Sequence, residues 1–247
     1  MASEDSIDRR RRVLLGTGGA VILSAALRPA GIWAQGAKMA IGVIGSGHIG
    51  GTIGSLWVKN GHRVLFSSRH PDELKELVAG LGHLAQAGTV EQAIAFGDAL
   101  LIAVPYKALP DLGKDYGAAL KGKIVLDACN STTARDGAEL TDEVNKNGIG
   151  LTSQKYLPGT RLVRAFNTMN YKIFASEANR PDPKLAIPIA GDDAQAVRIA
   201  AGLVRDAGFD PVTVGKLADA SRFQMGAPGF GQRVTAAELK QKLNLAP

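Results

Sequence analysis

Cysteine is almost missing from this chain: 247 residues contain one, Cys129, so no intrachain disulfide can form. Histidine is scarce as well. The four present, His48, His62, His70 and His83, show no metal-ligand spacing, and no Ser/His/Asp or Cys/His set stands out. A metal centre and a nucleophilic triad are therefore not expected. Past residue 37 no Lys/Arg block occurs; the formal net charge of +6 divides into +2 on residues 1–37 and about +4 on the rest. That balance lends nucleic-acid binding no support and mildly favours anionic ligands. No apolar run reaches the ~20 residues needed to span a bilayer, so no stable membrane span is expected. Internal repeats, low-complexity tracts and heptads are also lacking.

What is there begins with an address. Arg9 to Arg12 form a basic region, Val13 to Leu27 is mildly apolar and rich in Gly and Ala, and Ala34-Gln35-Gly36-Ala37 offers small residues for cleavage. This is the layout of a secretory signal, and Arg11-Arg12-Val13-Leu14-Leu15 fits the twin-arginine pattern. Residues 1–37 are accordingly read as a twin-arginine-type signal peptide, with a periplasmic location; the alternative is a cytoplasmic chain with a basic tail. The roughly 210 residues that remain suit one ordinary domain.

Short apolar segments alternate with helical patterns from residue 39 onward. Strands are expected at Met39–Ile44, Arg63–Phe66, His83–Gly88, Ala99–Val104, Lys123–Ala128, Arg161–Phe166, Leu185–Ala190 and Pro211–Val214. Helices are expected from Ile49, from Pro71, over Val90–Phe96, Leu112–Leu120, Leu140–Asn147, Asp193–Ala207 and Ala236–Leu243; Thr235 with Glu238 reads as a capping box for the last. Such alternation predicts an α/β Rossmann-type, doubly wound, mostly parallel sheet with a short C-terminal extension. Residues 38–230 are read as the nucleotide-binding domain, the last strands joining the same sheet, and residues 231–247 as a C-terminal helix and tail.

The chemistry is concentrated after the first two strands. Gly45-Ser46-Gly47-His48-Ile49-Gly50 lies between a strand and a helix, the context that makes a GxGxxG pattern informative. Gly45 permits the tight turn, Gly47 lets the backbone approach a pyrophosphate, and Gly50 lets the helix pack against the strand, with Gly54 extending that contact one turn on. The helix N-terminus presents free N–H groups to the phosphates. At the end of the second strand an NAD-binding chain usually places Asp or Glu for the ribose 2′-OH. Here Ser67-Ser68-Arg69 stands instead, and the next acid is Asp72. Two hydroxyls and a guanidinium suit a 2′-phosphate, so the cofactor is read as NADP(H).

Taken together, Gly45–Gly51, Phe66–Arg69, Ala103-Val104-Pro105-Tyr106, Asp127-Ala128-Cys129-Asn130, Leu162–Asn167, Ile189–Asp192 and Ala207–Pro211 resemble, in order, the coenzyme F420-dependent NADP oxidoreductases. The cytoplasmic reductase domain of the STEAP metalloreductases is similar too. The resemblance covers about residues 39 to 230. It implies hydride transfer between NADP(H) and a small-molecule acceptor, a deazaflavin (F420) or a flavin (FMN or FAD). It implies that Ser68 and Arg69 hold the 2′-phosphate, that Val104 and Pro105 lie along the ribose and nicotinamide, and that Asn130, Phe166 and Asn167 line the acceptor side. A homodimer is the oligomer considered.

Hydride transfer between rings needs alignment and exclusion of water more than side-chain chemistry, so no catalytic side chain is assigned. His48 sits in the phosphate turn, within reach of the cofactor. His62, after a helix-ending turn, reads as solvated. Tyr106 is either a ring-stacking residue or a half-buried strand end. Asp192-Asp193 reads as a helix cap, and Cys129, at the end of an apolar strand, as a buried structural residue. Arg161, Arg164 and Arg222 are surface arginines or contacts for an anionic acceptor tail. Two other functions share the glycine motif: a hydroxyacid- or imine-type NADP dehydrogenase, and a non-catalytic NADPH-binding module.

Overall fold

The computed structural model describes residues 38–246, and the leader reading over residues 1–37 lies outside them. Its strands are β1 (Ala40–Ile44), β2 (Arg63–Ser67), β3 (Ala85–Gly88), β4 (Ala99–Ile102), β5 (Ile124–Asp127), β6 (Arg161–Arg164), β7 (Ala186–Gly191) and β8 (Asp210–Gly215). They form one sheet in the order β3-β2-β1-β4-β5-β6-β7-β8. The first six run parallel; β7 is antiparallel to β6, and β8 is parallel to β7. This is the doubly wound Rossmann-like fold expected, with β7 and β8 as its reversed extension.

The helices are α1 (His48–Lys59), α2 (Lys75–Leu81), α3 (Val90–Phe96), α4 (Leu109–Leu120), α5 (Thr133–Asp136), α6 (Ala138–Asn147), α7 (Ile149–Tyr156), α8 (Tyr171–Glu177), α9 (Ala194–Asp206) and α10 (Ala236–Lys242). Period-two alternation divides the core between the two faces of the sheet. Ile41, Val43, Ala99 and Leu101 point to the face covered by α1, α8 and α9. Ile44, Leu100 and Ile102 point to the face covered by α3, α4 and α7. Both faces are dry, which is why these strands read as unbroken apolar runs. A fully buried Ile or Leu in them contributes about 1.5–3 kcal/mol.

Capping chemistry explains which helix starts were readable. Thr89 accepts from Gln92 N and the Gln92 side chain returns to Thr89 N, Thr235 and Glu238 do the same, and Asp193 accepts from Ala196 N. Three helices (α5, α7 and α8) and the 3-10 turns Tyr106–Ala108 and Leu217–Phe223 carry no such expectation, and three of these are instructive. Both α7 and the 3-10 turn Leu217–Phe223 start without the side-chain signals of a Ser, Thr, Asn or Asp cap, and the fold supplies their support. Gly150 of α7 abuts the Leu217 carbonyl, and Gln224 Oε1 accepts from Ile149 N at 3.0 Å. The third, α8, is only seven residues long but is capped by the Asn170 side chain.

His62 is not solvated but fully buried. Its Nδ1 accepts from Met39 N at 3.0 Å, which places the proton on Nε2, donated to Asp206 at 2.8 Å. Beside it Trp57 Nε1 donates to the Leu203 carbonyl at 2.7 Å, so two ring N–H groups tie the β1–α1–β2 unit to α9. Burial lowers the His62 pKa below 6.5, against the opposing pull of Asp206. A second proton would set an N–H against the Met39 N–H. Neutral His62 is thus favoured by folding: its contribution is complete above the unfolded value of about 6.5 and is lost as pH falls through it toward the folded value. Urea denaturation of wild type should show stability dropping between pH 7.5 and 5.5, by at most about 1.4 kcal/mol per pH unit from this proton. His62→Gln should show a shallower slope; identical slopes would remove His62 from the account.

Candidate functional site

The strand order reverses between β1 and β4, so their following loops diverge and leave a crevice at the carboxyl end of the sheet. Gly45 stands at its start with φ +92°, a conformation that disfavours any side chain. A Cβ there would lie 2.6 Å from the Ala103 carbonyl oxygen and 2.7 Å from Val104 Cγ1, so the two loops are packed backbone to backbone. Gly50 backs onto the Gly45 carbonyl, and Gly54 onto the Phe66 ring. At Gly47 the result is opposite: a Cβ would meet nothing within 4 Å. Gly45, Gly50 and Gly54 are thus filled from within the protein, and Gly47 alone of the four faces open space, at the α1 N-terminus.

Ser46 lies at the same turn. Its backbone N–H and Oγ both donate to the Ser67 carbonyl, at 3.2 and 3.1 Å, fixing the glycine loop to the end of β2. Ser67 itself is a correction: its side chain is fully buried and donates to the Val43 carbonyl at 2.9 Å, so it faces the sheet interior. Ser68 is half-buried at the strand end, its Oγ accepting from His70 N at 3.0 Å. Arg69 is exposed, and the nearby Asp72 is paired with Lys75. The end of β2 therefore presents one hydroxyl and one guanidinium.

Ile49 is half-buried behind the loop and packs on the core. His48 is exposed and stacks on Tyr171 at the start of α8, ring centroids 4.2 Å apart and planes 9° off parallel. These two rings and Ser46, Gly47, Thr52, Leu56, Leu74 and Leu77 line an open cleft of roughly 660 Å³ along α1. Tyr171 carried no signal in the sequence beyond being an aromatic residue after a polar loop.

The far side of the crevice is built by the ends of β4, β5 and β6. At the end of β4 Val104 is half-buried against the core and Pro105 is exposed. Tyr106 is a correction: it is fully buried, its hydroxyl 3.1 Å from Ser153 Oγ, and burial followed by the Asp127 charge pushes its pKa up. It anchors α7 and does not stack on a ligand. Cys129 is buried, as read, and burial raises its thiol pKa.

Asn130 and Asn167 are brought together. Asn130 Nδ2 donates to the Asn167 carbonyl at 2.6 Å, and Asn167 Nδ2 donates to Asn130 Oδ1 at 3.4 Å and to the Phe223 carbonyl at 3.2 Å. Asn167 Oδ1 and the neighbouring Thr168 Oγ1 are buried with no protein partner, unmet polar capacity at the end of β6. Phe166 is a further correction. It is fully buried with φ +58°, its ring edge-on to Trp57, Phe174 and Phe209 at 5.8, 5.8 and 6.4 Å. Its left-handed backbone sends the ring into the core while Asn167 turns toward Asn130.

The arginines weighed for an acceptor tail are also placed otherwise. Arg164 is fully buried, ion-paired to Asp127 at 2.5 Å and donating to the Cys129 carbonyl at 2.7 Å. Arg161 pairs with Asp193 at 2.7 Å, and Arg222 donates to the Leu243 carbonyl. Asp127 Oδ1 accepts from Cys129 N at 2.8 Å, so the Asp127–Arg164 pair holds the loop that carries Asn130. Among the described residues no group of three or more His, Cys, Asp or Glu could hold a metal ion, and no helix is long and apolar enough to cross a membrane.

Comparison with known proteins returns the resemblance read from the motifs. Residues 40–131 match the family model described as NADP oxidoreductase, coenzyme F420-dependent. The metalloreductase STEAP3 of Rattus norvegicus is 28% identical over 183 residues, 73% of this chain and 34% of its own length, so the chain spans about a third of that relative. Among solved structures, a hypothetical protein of Sinorhizobium meliloti superposes with a TM-score of 0.69 at 24% identity, covering 81% of this chain and 97% of that one. A candidate F420-dependent NADP-reductase of Arthrobacter sp. FB24 gives 0.62 at 21% identity, covering 74% and 87%. At these identities the structural likeness concerns the fold.

Proposed function

We propose that this chain is an NADPH-dependent oxidoreductase that passes hydride between NADP(H) and a deazaflavin (F420) or flavin acceptor. The carrying observation is the open backbone at Gly47 beside a β2 end that offers Ser68 and Arg69 and no acid. The match of residues 40–131 to the NADP oxidoreductase family supports it.

The residues present fit the dinucleotide. Free N–H groups at the start of α1 and the bare Gly47 would receive the pyrophosphate. Ser68 and Arg69 would hold the 2′-phosphate through charge-assisted hydrogen bonds. Val104 and Pro105 give an apolar edge for the nicotinamide ribose. Asn130 and Asn167 close the far side, where the unpartnered Asn167 Oδ1 suits an amide donor. Bound NADPH supplies the hydride. The protein's part is to fix the angle of approach and exclude water with Val104, Pro105 and the Asn pair.

The test uses the full-length protein with NADPH. Oxidation at 340 nm would be followed on adding F420, and separately FMN or FAD. Oxidation with any of the three supports the reading. Tight NADPH binding with no oxidation by any of them overturns it in favour of a small-molecule dehydrogenase or a binding module. We also propose export through the twin-arginine route, tested by whether a Lys-Lys replacement of Arg11-Arg12 retains the protein in the cytoplasm.

A further inference from the structure

The arginines suggested by the sequence for an anionic acceptor are used elsewhere, yet the crevice rim carries two cations that the sequence does not single out. Lys107 lies two residues past Pro105, in the 3-10 turn Tyr106–Ala108 that follows β4. Arg135 lies in α5, after β5. These strands are neighbours, with Ile102 opposite Asp127, so both cations stand at the same end of the sheet.

One buried carboxylate joins them. The Asp136 side chain is 0% exposed and accepts from the Lys107 N–H at 3.1 Å, the Thr132 N–H at 2.9 Å and Arg135 Nε at 3.1 Å. The Arg135 guanidinium also donates to the Asn130 carbonyl, beside the Asn130–Asn167 pair. Asp136 is thus spent on backbone donors and on orienting Arg135. The Lys107 ammonium has no protein partner among the described residues, and Arg135 remains 45% exposed. Two exposed cations, with the carboxylate between them committed to internal donors, thus stand next to the residues that face the acceptor.

We propose that Lys107 and Arg135 form an anion-binding site for the phosphate of the hydride acceptor, and so select phosphorylated over unphosphorylated ring systems. This rests on the reading of the crevice as a hydride-transfer site. Arg135 supplies directional N–H donors and Lys107 a mobile point charge, a pairing suited to a phosphate oxygen cluster. Asp136 and Asn130 act as positioning residues, through Arg135.

The test separates the ring from its phosphate. Equilibrium binding to NADP+-loaded full-length protein would be measured for FMN against riboflavin, and for F420 against its deazaflavin core lacking the phosphate-linked tail. The phosphorylated member of at least one pair should bind about tenfold more tightly, the magnitude of one charge-assisted hydrogen bond, with the advantage shrinking as salt rises. Lys107→Glu, whose native side chain makes no bond within the described protein, should bring that ratio to about one; Arg135→Ala should do so in part. NADPH affinity reports whether either variant has disturbed the nucleotide side. Equal affinities within both pairs, or a ratio untouched by Lys107→Glu, overturn the proposal. NADPH oxidation by any acceptor would then still uphold the hydride-transfer reading, so the two failures are distinguishable. Binding of no member of either pair overturns the anion site, and absent turnover overturns the function with it.

Discussion

Gly47→Val should abolish NADPH binding while leaving the fold intact. The backbone at Gly47 has φ −74°, which any L-residue adopts, and a Cβ there would touch nothing in the protein. Valine would instead occupy the space through which a pyrophosphate reaches the α1 N-terminus. The affinity loss should be at least about a hundredfold, near 2.7 kcal/mol, read by titrating NADPH fluorescence. Thermal unfolding should be within a few degrees of wild type. The control is Gly50→Val, whose Cβ would run into the Gly45 carbonyl and force α1 off β1. That variant should lose stability by several kcal/mol or fail to fold, as overpacked cores do. Undiminished NADPH binding by Gly47→Val would mean the glycine turn is only a packing device.

Arg69→Glu should reverse the choice between NADPH and NADH. Arg69 is exposed at the end of β2, beside Ser68, with no acid at the strand end. Removing charge-assisted hydrogen bonds to the 2′-phosphate costs about 1.5–3 kcal/mol, and a carboxylate in its place adds repulsion. NADPH affinity should fall by on the order of a hundredfold, while NADH, which lacks that phosphate, should change by no more than a few-fold. Arg69→Lys should lie between, since it keeps the charge and loses the planar fork. Equal losses for both nucleotides would refute the 2′-phosphate role. Because Ser67 is committed to the Val43 carbonyl, Ser67→Ala should affect stability and leave this selectivity unchanged.

Both expectations were readable from residues because the glycine-turn side of the crevice is local. Gly45, Gly47 and Gly50 act through backbone dihedral angles and the missing Cβ, properties fixed by residue type. The strand–turn–helix context follows from the apolar run before them and the helical spacing after. The central strands were likewise visible, since a sheet covered on both faces demands continuous apolar segments, whereas edge strand β3, Ala-Gln-Ala-Gly and partly exposed, left a weaker signal. Capped helices such as α3, α9 and α10 announced themselves through Thr89, Asp193 and Thr235.

The far side of the crevice depended on contacts far apart in the chain. Phe166 and Asn167 are adjacent in sequence, yet one enters the aromatic core and the other meets Asn130, because φ at Phe166 is +58°. No pattern of residue types announces a left-handed phenylalanine. Tyr106, Ser67 and His62 each read as polar residues at strand or helix ends; their burial follows from partners up to 144 positions away. The same holds for the charges. Where each arginine is held was decided by which carboxylate folds against it: Asp127 takes Arg164 into the core, Asp193 takes Arg161, and Asp136 holds Arg135 at the rim. By itself the sequence determined the sheet, the glycine turn and the lack of an acid at the end of β2, since these depend on local sterics, periodicity and charge. Only the tertiary structure decided which polar side chains face the crevice, because burial and pairing arise when distant segments compete for the same hydrogen-bonding partners.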